Sequence, residues 1–114
     1  MSNTAAENNT LNLRTLCGGG EMILRIGPQK YTVEVKDKQW VEESGAHGRC
    51  DSGQCLLQIT DGARFIDTLW HELGHAIYYE YHIREVVGEE AINSLYMSGI
   101  LQVLRDNPEL KDNL

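Results

Sequence analysis

The hydrophobic period of this chain changes once, at Thr60, Asp61 and Gly62, and that change limits the folds open to it. Before it, Tyr31, Val33 and Val35 alternate with Thr32, Glu34 and Lys36, the period-two pattern of a strand with one wet face. The preceding run "EMILRI" joins that strand through "GPQ", the punctuation of a tight turn. Farther on, "RCDSGQCLLQIT" reads as a second hairpin, with "SGQ" at its tip and Cys55 to Thr60 as the returning strand. The polar stretch "KDKQWVEESGAHG" between the two reads as loop. After the change, Phe65, Ile66, Leu69, Leu73, Ala76 and Ile77 recur at three- and four-residue spacing. They predict a helix over about 63–83, with Thr60 or Asp61 placed to cap its free amides. Gly74 lies inside that helix, where a residue without a side chain lets another element come close. A break near Val87 and Gly88 precedes a second helix over about 89–105, which stops where Asn107 meets Pro108. Strands followed by helices predict an α+β domain, with strands within about 22–36 and 48–60 and two long helices after them.

With 114 residues the chain has the length of one domain. Ten basic against 17 acidic residues give a formal charge of −7, the wrong sign for a nucleic-acid partner. No apolar run approaches the roughly 20 residues that span a bilayer. Residues 1–20, rich in Asn, Thr and Gly, lack the basic and apolar regions of a secretory signal and read as a flexible segment before a domain at 21–114. Three cysteines, Cys17, Cys50 and Cys55, cannot all pair within the chain and read as reduced thiols. These features together predict a cytoplasmic protein with no membrane partner.

The chemistry concentrates in "DTLWHELGH". His71 and His75 stand at i and i+4, so their imidazoles leave one side of the helix a turn apart. Hydrolytic zinc takes three protein ligands and keeps a position for water. The histidine pair supplies two neutral nitrogen donors, and Glu72 between them is placed to act as general base on that water. The same five-residue pattern also occurs by chance on unrelated helices, but here it lies on a strongly amphipathic one that follows a strand.

A third donor is not contained in the motif. The version that continues with a glycine and a third histidine is broken by Tyr78 and Tyr81. His82 is out of register and reads as a helix-terminal, exposed residue, and His47 lies in the loop "GAHGR". Glu85, Glu89 and Glu90 remain. On the second helix Ile92, Leu95, Tyr96, Gly99, Ile100 and Val103 form one apolar face, with Glu89 inside it and Glu90 at its margin. A carboxylate on a core-facing stripe needs a partner, and zinc would be one. The competing reading is that "GEE" supplies acidic residues at a helix start, where the dipole favours them.

"HELGHA" followed by a helix opening "EEAINSLY" is similar to the ImmA/IrrE-type zincin metallopeptidases, whose Glu is followed by Asn four residues on and apolar residues at six and seven. The stretch from "GRCDSGQCLLQITDG" to the ending "VLRDNPEL" resembles small zincin-like proteins encoded by bacteriophages and prophages, over about residues 45–110. The resemblance implies a minimal zincin fold, a small antiparallel sheet packed on the two long helices, with zinc held by His71, His75 and Glu89 and with Glu72 as catalytic base. It also implies a peptide or protein substrate in the cytoplasm of a bacterial host, and a strand, Cys55 to Thr60, along the cleft. The short interval from His75 to Glu89 demands a tight turn around Arg84 to Gly88. Tyr78, Tyr79 and Tyr81 are candidates to stabilise an oxyanion, though three tyrosines so close on one helix cannot all face one site. The alternative is a non-catalytic zincin-fold interaction protein with a structural or vestigial metal site.

Overall fold

Alternation along "EMILRI" and "QKYTVEVK" builds a hairpin in which Met22, Leu24, Ile26, Tyr31, Val33 and Val35 all turn to one side and are buried. The computed structural model describes residues 21–112, so the expected flexible segment 1–20 lies outside it. In chain order the elements are β1 (Glu21–Ile26), β2 (Gln29–Lys36), α1 (Lys38–Ser44), β3 (Gly48–Asp51), β4 (Leu56–Thr60), α2 (Phe65–Glu80), a 3-10 turn (Ile83–Glu85), α3 (Glu89–Asp106) and α4 (Pro108–Asp112). The architecture is α+β, as the change of period requires.

The sheet is mixed rather than antiparallel. Its strand order is β1-β2-β4-β3, and β2 pairs with β4 in parallel, Val33 beside Leu57 and Val35 beside Ile59. The reason lies in the segment expected to be loop. Parallel neighbours need a crossover, and here α1 and β3 provide it, so that β4 returns between β2 and β3. Helix α1 has legible ends: the Asp37 side chain accepts from Trp40 N at 3.1 Å, and Gly45 closes it at φ 74 with its N–H donating to Val41 O. Its few apolar residues hid it.

The core lies on one face of the sheet, where Leu57 and Ile59 of β4 join the hairpin residues against Phe65, Leu69, Leu73, Ala76 and Ile77 of α2. Burial of each such side chain stabilises the fold by roughly 1.5–3 kcal/mol for the larger ones. The opposite face is polar. Gln58 Nε2 donates to Glu34 Oε1 at 3.1 Å, and Lys36 Nζ lies 3.1 Å from the same oxygen; these two hydrogen bonds, the Lys36 one first, hold the Glu34 carboxyl below its usual range. Tyr31 ties the end of α2 to the sheet, its buried hydroxyl donating to Glu80 Oε2 at 2.6 Å.

Helix α2 begins at Phe65, later than expected, and neither Thr60 nor Asp61 caps it. Thr60 closes β4, its hydroxyl donating to His47 O, while Asp61 N donates to Lys36 O. Both residues are spent on the sheet, and Gly62 to Arg64 make the turn. The close approach expected at Gly74 is also absent, because nothing lies within 4 Å of a Cβ built there. It occurs instead at Gly99 of α3, where an added Cβ would meet Ile77 Cγ2 at 2.5 Å.

The ending "LRDNPEL" has a structural task. β1 is a sheet edge, and the Asn107 side chain pairs with its outer groups: Oδ1 accepts from Arg25 N at 2.8 Å, and Nδ2 donates to Arg25 O at 2.8 Å and to Val103 O at 2.8 Å. Gln102 continues the seal, accepting from Gly27 N at 2.7 Å and donating to Arg25 O at 3.1 Å. Among the described residues no helix is long and apolar enough to cross a membrane. Replacing Asn107 by Ala would leave the part-buried Arg25 N–H without its partner and take one of two donors from each of Arg25 O and Val103 O. The expected loss is about 2–4 kcal/mol of unfolding free energy, read by urea denaturation, with Asn107→Asp at least as damaging because it turns a donor toward two carbonyls into an acceptor.

Candidate active site

The buried stripe of α2 runs Phe65, Leu69, Glu72, Leu73, Ala76, Ile77, and Glu72 is its one charged member, 8% exposed. Helical spacing places it there, three residues from Leu69 and four from Ala76. A carboxylate in such a stripe is costly unless something faces it. What faces it is β3. A Cβ on Gly48 would stand 2.6 Å from Thr68 Cγ2 and 3.0 Å from both Cγ and Oε2 of Glu72, so the strand rests on the helix through a bare backbone. Cys50, the next inward residue of β3, adds its thiol to the same wall, hydrogen-bonded to Ser52 Oγ at 3.5 Å.

His71 and His75 flank this seam. Both are exposed, with ring centroids 5.0 Å apart and the rings edge to face. Each opens into its own depression. One, of about 550 Å³, is walled by His47, Gly48, Arg64 and Thr68 with Asp67, His71 and Glu72. The other, also about 550 Å³, brings Cys50, Asp51 and Ser52 together with Glu72, His75 and Tyr79. Glu72 lines both, so this buried side chain lies between the two depressions, which together form a groove along β3 from His71 to His75. No hydrogen-bond partner for that carboxylate is found among the described residues.

The strand along this groove is β3, not the Cys55–Thr60 strand expected to border it, because β4 is flanked on both sides. The free side of β3 has a definite pattern. His47 O accepts from Thr60 N at 2.9 Å, and in an antiparallel ladder the next residue turns its backbone groups the other way. Gly48 and Cys50 therefore present N–H and C=O outward, beside Glu72.

Of the residues predicted for a metal, the structure brings His71 and His75 together with Glu72 and leaves Glu89 apart. Among the described residues no three His, Cys, Asp or Glu side chains are gathered closely enough to hold an ion. Glu89 is exposed, not buried in the apolar face as its phase suggested. Helix α3 meets α2 around its middle, with Tyr96 against Tyr78 at 6.3 Å and Gly99 against Ile77; Ile92 and Leu95 pack half-buried at the margin of the core, and only the first turn, Glu89 to Ala91, is fully exposed. Phase survives in one respect: Glu89 lies seven residues before Tyr96, on the same side of the helix. Glu90 is likewise exposed. Glu85 is engaged by the exposed His82, Nδ1 to Oε2 at 2.8 Å, in the expected tight turn. The histidine pair thus fits a divalent cation in donor chemistry and spacing, while the third donor is not in place beside it.

Tyr81 is occupied elsewhere, donating to Gln102 Oε1 at 2.9 Å, whereas Tyr78 and Tyr79 line the His75 depression. His47, set aside in the sequence, is a wall of the His71 depression, its carbonyl held by both the N–H and the hydroxyl of Thr60. The glycines on either side of "AH" were its one signal, since they allow the loop to bring the ring over the helix. No family model, no curated protein and no solved structure matches the chain.

Burial pushes the Cys50 thiol up, and Glu72 and Asp51 add to this against the opposing Ser52 hydrogen bond. Cys50 is accordingly expected to alkylate with iodoacetamide along a pH profile displaced above that of an exposed thiol, which mass spectrometry of the modified peptide will show. Gly48→Ala is expected to cost about 1–3 kcal/mol by overpacking. Thr68→Ser, which removes the methyl group met by the new Cβ, should restore part of that loss in a urea-denaturation cycle.

Proposed function

We propose that this chain is a zinc-dependent peptidase of the HExxH type. The observation that carries the reading is Glu72: a buried carboxylate, without a partner among the described residues, opening between two exposed histidines beneath a free strand edge. His71 and His75 would hold the metal, and Glu89 is the third donor that helical phase and the family resemblance favour. Zinc, when bound, supplies a Lewis acid that polarises a carbonyl oxygen and acidifies water. The remaining steps belong to the chain. An extended peptide pairs with the outward N–H and C=O groups of Gly48 and Cys50, which fixes its backbone across Glu72. Glu72 takes the proton of the attacking water and delivers it to the leaving amide nitrogen. Tyr78 and Tyr79, on the His75 side, are the hydroxyls available to the carbonyl oxygen. The free thiols Cys50 and Cys55 suit a reducing compartment, a bacterial cytoplasm in this reading.

One observation favours a second reading. The absence of a gathered third donor among the described residues suits a zincin-fold interaction protein with a structural or vestigial metal site. Metal analysis with variants separates the two. Purified chain should bind one zinc, and His71→Ala or His75→Ala should weaken it by more than about 100-fold. Glu89→Ala should weaken zinc as well, while Glu90→Ala should not. Glu72→Gln should keep the zinc and lower the rate of peptide cleavage by about 10²–10⁴. Zinc without cleavage in the wild type leaves the interaction protein; no zinc at neutral pH overturns both site and mechanism.

A further inference from the structure

A second cavity adjoins the groove. It lies between α1, the turn at Asp61–Arg64 and the first turn of α2, and has a volume of about 380 Å³. His47, Arg64 and Thr68 line it and the His71 depression alike, so the two spaces lie side by side and share a wall. Their linings differ in kind. The His71 depression presents charged and hydrogen-bonding groups, whereas Val41, Ala63 and Phe65 give the second cavity an apolar interior.

We propose that this cavity takes one large apolar side chain of the peptide substrate, of the size of leucine or phenylalanine, on a residue next to the bond held at Glu72. The inference rests on the peptidase reading and names the substrate class of that same site. Three observations select the occupant. A peptide backbone seeks hydrogen bonds, which the free edge of β3 offers and the cavity interior does not, so a side chain enters rather than the main chain. The charged residues of its lining balance, Lys38 and Arg64 against Glu42 and Asp61, so nothing there selects a charged side chain. A volume of about 380 Å³ is at the small end for ligand pockets, sufficient for one side chain and its immediate neighbours. Apart from Gly62, which has no side chain, Ala63 is the smallest contributor; it is exposed, so enlarging its side chain would limit how far an occupant enters.

Two measurements on the full chain test this. In the first, N-acetyl-phenylalaninamide is titrated into isotope-labelled protein. The amides of Val41, Ala63 and Phe65 should shift saturably, N-acetyl-alaninamide should leave them unmoved, and Ala63→Trp, which fills the cavity, should abolish the response. Val41→Asp gives the same loss should Ala63→Trp fail to fold. Equal shifts with both amides, or shifts elsewhere, overturn the proposal. In the second, zinc-loaded protein is given a peptide library and the cut sites are read by mass spectrometry. A large apolar residue should recur at one fixed position beside the cut. Ala63→Trp should lower kcat/KM on those peptides by about tenfold or more, with zinc content unchanged. Cleavage without that preference overturns the pocket and leaves the peptidase standing. Saturable, phenylalanine-selective shifts with no cleavage of any peptide support the pocket and overturn the peptidase.

Discussion

The contact between Gly48 and the face of α2 that carries Thr68 and Glu72 is the constraint on which the candidate site depends. Any larger residue would hold β3 away from the helix. Glu72 would then face solvent instead of a wall, and an exposed glutamate beside two histidines is an ordinary helix surface. Because the strand is bare at that point, three things coincide in one place: a buried carboxylate, two accessible imidazoles and a row of outward backbone groups. None of these is unusual singly. Their coincidence is the argument for proposing a site here over a helix that happens to carry histidines at i and i+4.

How β3 reaches that position explains the topology. Helix α1 carries the chain across the end of the sheet, β3 runs back along α2, and β4 fills the gap between β2 and β3. The central pair β2 and β4 buries Tyr31, Val33, Val35, Leu57 and Ile59 on its helix-facing side, which gives the sheet its rigid middle. The edge strand beside the site is short, four residues, and borrows that rigidity through the paired bonds from Thr60 to His47 O. A site assembled on such an edge keeps an open side for a ligand while its backbone stays fixed.

The parts of this arrangement that repeat were legible in the sequence, and the parts that happen once were not. Alternation revealed β2, the turn residues "GPQ" and "SGQ" set β1 beside it and marked the hairpin of β3 and β4, and the three- and four-residue spacing revealed α2 and α3 nearly to their ends. Helix α1 was missed since Trp40 and Val41 alone carry its apolar face, although Asp37 and Gly45 mark both ends. Parallel pairing of β2 with β4 was missed because it depends on where α1 leads the chain, which no local pattern encodes. Among site residues, His71, Glu72 and His75 follow from one helix and were placed correctly relative to each other. Glu89 was assigned to the interior by phase, yet phase gives a direction around an axis and not how far along that axis the core extends. Gly48 and His47 act across elements, so only the fold exposes their part.

The two edges of the sheet show what the protein does with unpaired backbone. A free strand edge invites pairing with other chains and is normally covered, shortened or charged. At β1 the covering is thorough: Asn107 and Gln102 supply donors and acceptors for Arg25 and Gly27 that imitate a neighbouring strand. At β3 no such cover is found among the described residues, and the outward groups of Gly48 and Cys50 face the groove. Among the described residues one edge thus carries a side-chain seal and the other, beside Glu72, His71 and His75, does not. If exposure of β3 were only a tolerated flaw, nothing would require it to lie beside the one buried carboxylate of α2. In the proposed peptidase that position would let the strand hold an extended backbone, with the bond to be cut laid over Glu72.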